Sequence, residues 1–85
     1  MTPEPREVYD RILADMRTIW GEMAEAMLRK RVRDVDADPS RLTADQLGRI
    51  VDLLRLRTLP SILGAEGAEA KARAWRAWLE DGSGA

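Results

Sequence analysis

The chain has 85 residues, with neither cysteine nor histidine, and carries 14 basic against 15 acidic residues for a net charge of −1. One domain of this size has a core of marginal stability, and without thiols or imidazoles it has no disulfide framework, no thiolate or imidazole metal site and no Cys- or His-based nucleophilic chemistry. Balanced charge gives no global pull toward nucleic acid or an anionic membrane. No apolar run approaches the ~20 residues that span a bilayer, and no signal-peptide pattern opens the chain, so a cytoplasmic protein is expected. Twelve arginines against two lysines, many alanines and no asparagine are the residue usage of a GC-rich, bacterial genome. Oligomerisation is then the expected source of extra stability.

Thr2-Pro3-Glu4 reads as a helix start, with threonine as N-cap and proline in the first turn. From there one long amphipathic helix is predicted over about residues 5–33, roughly 42 Å at 1.5 Å per residue. Tyr9, Ile12, Met16, Ile19 and Met23 step by 3, 4, 3 and 4, the spacing of a helix–helix seam. Leu13, Trp20 and Met27 form a second row, and the joint apolar face covers roughly 160° against about 100° for a one-sided surface helix. Two rows call for two neighbours. Arg11, Asp15, Glu22, Glu25 and Arg29 fall on the opposite face, which is read as solvated. Gly21 interrupts the helix at about 1 kcal/mol relative to alanine, as either a kink or a tolerated glycine. Arg29-Lys30-Arg31-Val32-Arg33 places four positive charges where the helix dipole is negative, which is dipole compensation or a site for an anion or acidic partner.

Asp34, Asp36, Asp38 and Asp45 match positions 1, 3, 5 and 12 of a calcium loop, but Pro39 stands where that loop needs glycine and the final glutamate is missing. An acidic interhelical loop is expected, with no metal. The second helix, about residues 43–58, has the clearest start: Thr43 and Gln46 form a capping box, and Leu42 and Leu47 a hydrophobic staple. Leu47, Ile50, Val51 and Leu54 make its core stripe, whereas Leu53 and Leu56 lie off it. Pro60 disfavours an α conformation at Leu59, so the helix should end near Thr58, followed by a single turn closed by Gly64. A third helix is predicted over 65–81, with Ala68, Ala72, Trp75 and Leu79 inward, Trp78 on the flank, and Ala70, Ala74 and Ala77 as a smooth side. Gly82 suits the cap, and residues 83–85 read as a disordered tail after a single all-α domain over 1–82.

The sequence thus predicts three helices, one long and two shorter ones folded back along it, assembling into an oligomeric bundle. Ile12, Met16, Ile19, Trp20, Met23, Leu47, Ile50, Val51, Leu54, Trp75 and Leu79 are its expected core. No cofactor and no catalytic residue is indicated. The surplus apolar surface favours a non-catalytic interaction module, a homodimer that also docks onto a larger protein. Its candidate contacts are Leu53, Leu56, Trp78, Ala70, Ala74, Ala77, Lys30 and Arg31. One alternative is nucleic-acid binding through Arg29–Arg33, although the second and third helices lack a helix-turn-helix connection. Another is an all-α enzyme that acts on an anionic small molecule through arginines.

Overall fold

Gly21 decides the shape of the first third of the chain. In the computed structural model, which describes residues 4–81, it adopts φ 61° and ψ −134°, a region that only glycine enters without strain. Its N–H donates to the Arg17 carbonyl (2.9 Å) and closes helix α1 (Pro5–Trp20), while its own carbonyl accepts from Ala24 (3.2 Å) at the start of α2 (Met23–Asp34). The predicted long helix is therefore two helices. A straight helix of ~42 Å would exceed the largest dimension of the molecule, 33 Å.

After a short 3-10 turn (Pro39–Arg41) the chain forms α3 (Ala44–Leu53), a π-wound segment (Leu54–Thr58) and α4 (Pro60–Asp81). The described residues hold four α-helices and no strand, and α1 packs against each of the other three. No described helix is long and apolar enough to cross a membrane. The readings at Thr2-Pro3 and at residues 82–85 lie outside the described residues; α1 itself starts with Glu4 as N-cap and Pro5 in its first turn.

The break at Gly21 rotates the second half of the predicted helix onto a new face. On α1 Tyr9, Ile12 and Met16 are buried, as the seam requires, and Val8 with them; on α2 the buried set is Ala24, Leu28 and Val32. Met23, which an unbroken seam would bury, is 67% exposed, and Ile19 and Trp20 are only half-buried. Leu13, Trp20 and Met27, the second apolar row, pack against the core of the same chain. That row needs no second subunit to cover it.

The start of α3 forms as expected. The Thr43 hydroxyl accepts from Gln46 N–H (3.1 Å), and Gln46 Oε1 accepts from Thr43 N–H (3.2 Å). Leu47, Ile50, Val51 and Leu54 are all buried. Its end differs from the expectation. Leu59 stays in the α region (φ −66°, ψ −38°) although it precedes Pro60. Pro60 lacks an N–H, and in a regular helix its ring would collide with the Leu56 carbonyl four residues back. Widening the last turn removes that collision: Leu59 N–H reaches back five residues to the Leu54 carbonyl (2.8 Å), and Leu59 is fully buried. Gly64 (φ 73°, ψ 174°) then interrupts α4, so Pro60–Leu63 is one turn and the remainder a separate segment from residue 65, as predicted. Ala68, Ala72 and Trp75 face the core and Leu79 is half-buried beside it.

The face of α1 read as solvated is in part the seat of α4. Asp15 accepts a hydrogen bond from the buried Trp75 indole N–H (2.8 Å) and pairs with Lys71 (3.1 Å). One turn earlier, the Arg11 guanidinium lies 4.2 Å from the centre of the Trp78 ring. Trp75 is the largest fully buried side chain, and its N–H has to find an acceptor.

Two outcomes follow from this arrangement. Gly21→Ala should destabilise the protein by about 1–3 kcal/mol, because alanine is strained at this backbone conformation; in an unbroken helix it would instead stabilise by about 1 kcal/mol. Denaturant unfolding gives the sign directly. Asp15→Ala leaves the indole N–H without its acceptor and should cost about 1–3 kcal/mol, lowering the melting temperature by on the order of 10 °C. Asp15→Asn, which keeps an oxygen acceptor, should recover part of that loss. A melt unchanged by Asp15→Ala would show that the bond has no structural weight.

Candidate interaction surfaces

Among the described residues the large apolar side chains left exposed are Met23, Leu56 (60%) and Ile62 (56%). Met23 lies at the elbow between α1 and α2, whereas Leu56 and Ile62 belong to the corner where α3 gives way to α4. Leu56 is carried by the π-wound segment and stands between two arginines. Arg55 is held by Glu69 at 2.6 Å; Arg57 is exposed and has no ion pair among the described residues. Leu53, its companion off the core stripe, is half-buried.

The other candidate contacts divide in the same way. Ala70, Ala74 and Ala77 are exposed along the outer side of α4, opposite the buried Ala68 and Ala72. Trp78 is half-buried beneath Arg11, so its ring already serves the α1–α4 contact. Lys30 is exposed. Arg31 is not a surface arginine: its side chain is only 12% exposed, Nη1 donates to Asp34 (2.7 Å), and buried Nε has no partner. The structure therefore separates the predicted set into a corner (Leu53, Leu56), a helix side (Ala70, Ala74, Ala77), residues engaged within the fold (Trp78, Arg31) and the exposed Lys30 by itself.

Arginines line several clefts, of which two bear on the anion reading. Between α3 and α4, Asp52, Arg55, Glu69, Ala72, Arg73 and Arg76 line a space of about 270 Å³. Its charge is largely cancelled from within: Asp52 pairs with Arg76 and holds that guanidinium above its ordinary pKa through their hydrogen bond, and Glu69 takes Arg55. The second cleft, about 360 Å³, lies between α2 and the 3-10 turn and is lined by Arg29, Val32, Arg33, Ala37 and Pro39.

The acidic loop that resembles a calcium site folds around other partners. Asp38 accepts from Ser40 N–H (2.9 Å) and its hydroxyl (2.8 Å), which holds its carboxyl below the ordinary range. Asp34 is engaged by Arg31, and Asp36 takes φ 54°. Among the described residues no group of three or more acidic side chains comes together in a way that could hold a metal ion.

Two structural features escape sequence reasoning. Asp15 and Arg11 sit at helical spacing opposite Lys71, Trp75 and Trp78, whose own spacing on α4 is the same. The signal was present as two tryptophans in need of polar cover, but it has meaning only once α1 and α4 are paired. The arginine cleft depends on a turn that the sequence does not announce. Comparison with protein families, with curated proteins and with solved structures yields no match for this chain.

Proposed function

We propose that the chain is a non-catalytic helical interaction module that docks onto another protein, a second copy or a larger partner, through the corner centred on Leu56. The observation that carries this reading is the 60% exposure of Leu56 in a chain whose core-stripe leucines nearby, Leu47 and Leu54, are fully buried. The flanking Arg55 and Arg57 supply the polar surround that interface anchors commonly have. Leu53 adds apolar surface alongside, and the smooth side of α4 leaves room for a close approach. The core itself is closed within one chain, so the support for self-association rests on this corner and no longer on the two rows of α1.

The nucleic-acid reading has less support, because Arg29 pairs with Glu25 and Arg31 with Asp34, leaving Lys30 and Arg33 outside those pairs. An enzyme acting through arginines would draw on the clefts described above.

Leu56→Glu tests the proposal. As an exposed position it should change folding stability by no more than about 0.5 kcal/mol. The same substitution should abolish self-association at micromolar concentration, seen by sedimentation velocity, or the retention of a protein captured by the native chain. A native chain that is monomeric, with capture unaltered by Leu56→Glu, would remove this corner from consideration.

A further inference from the structure

The end of α2 builds a feature that the docking reading does not use. Asp36 N–H donates to the Arg33 carbonyl (3.0 Å) and Ala37 N–H to the Val32 carbonyl (3.1 Å), with Asp36 at positive φ. This is a Schellman closure with aspartate in the position glycine usually holds. It brings Ala37 back over Val32, and Pro39 follows at the start of the 3-10 turn. Those three side chains form an apolar floor, and the carbonyls of Val32 and Arg33 are already satisfied.

Above the floor stand Arg29 and Arg33, one helical turn apart. Glu22 and Glu25 line the adjoining groove on the other side of Arg29 and Arg33. Glu25 is shared between Arg29 (3.4 Å) and Arg17 (3.7 Å), Asp34 is held by Arg31 and Asp38 by Ser40. Arg33 has no carboxylate partner among the described residues and is exposed. Arg6 braces the far wall: its Nη1 donates to the Pro39 carbonyl (2.8 Å) and its guanidinium lies 5.0 Å from the centre of the Tyr9 ring.

From this juxtaposition we infer that the cleft binds a small organic anion, its carboxylate or phosphate held by Arg33, with Arg29 beside it still paired to Glu25, and its apolar body seated on Val32, Ala37 and Pro39. The volume, about 360 Å³, falls in the range of small-molecule sites. Two guanidiniums over an apolar floor select for amphiphilic anions: the charge alone would serve inorganic phosphate, and the floor alone a neutral hydrocarbon. Charge-assisted hydrogen bonds from arginine are the strong polar contribution here. This site stands apart from the Leu56 corner, and either can fail without the other.

The test is a titration of the native protein with phenyl phosphate and with benzoate, followed by amide chemical shifts. Inorganic phosphate and phenol serve as the single-feature controls. At least one of the two amphiphilic anions should give saturable shifts at Arg29, Val32, Arg33 and Ala37, with binding at least several-fold tighter than for either control. Arg33→Gln should weaken it by about tenfold, and Ala37→Trp, which fills the floor, should remove it. Lys30→Gln, one residue outside the cleft lining, should leave it unchanged, and unaltered melting of the Arg33→Gln protein keeps folding out of the comparison. Equal binding of inorganic phosphate, equal loss with Lys30→Gln, or no saturable shift with either amphiphilic anion would each overturn the inference. So would binding to anionic lipid vesicles with none to the soluble anions.

Discussion

A buried indole N–H needs an acceptor, and in this chain the acceptor lies on another helix. Trp75 places its rings at the centre of the core while its nitrogen reaches Asp15 on α1. That one bond fixes the rotation of α1 against α4. Lys71, a turn before Trp75, then meets the same carboxylate, and Arg11, a turn before Asp15, covers Trp78. With this pair of helices set, the break at Gly21 lets α2 fold back over the core, and α3 closes the remaining side.

Magnitudes show why this contact matters more than the many ion pairs on the surface. Arg6–Asp10, Arg29–Glu25 and Arg49–Asp45 link residues one turn apart, with every side chain at least half exposed. Such pairs contribute about 0–1 kcal/mol each. Full burial of a leucine or isoleucine contributes about 1.5–3 kcal/mol, and an orphaned buried N–H costs about 1–3 kcal/mol. The fold therefore stands on its closed apolar core and on the indole bond from Trp75 to Asp15, and the exposed pairs add little to it.

How much of this was legible in the sequence depends on whether a signal is local. The all-helical class, the capping box at Thr43, the stripe from Leu47 to Leu54 and the turn closed by Gly64 rest on neighbours within a few residues, and all of them form. Gly21 was visible as a weak point, but a propensity of about 1 kcal/mol says what a glycine costs inside a helix and nothing about the positive φ it can adopt outside one. That single torsion exchanged Met23 for Leu28 and Val32 in the core. Pro60 signals a stop locally, whereas the burial of Leu59 and a five-residue hydrogen bond carry the helical path past it. Nothing on its own helix draws Asp15 away from water; its partner is sixty residues further on. Of the candidate surfaces, Leu56 could be found from its position off the stripe, while the cleft at Arg33 needed the backbone closure at Asp36.

The three tryptophans also make the molecule its own optical probe. Trp20 lies half-buried at the end of α1 beside the glycine elbow, Trp75 is sealed in the core against a carboxylate, and Trp78 lies under a guanidinium. Each therefore emits from a different surrounding, and each reports on a different joint of the fold. Chains that keep a single indole would separate, by colour and by quenching, opening of the elbow from loosening of α4 and from loss of the core.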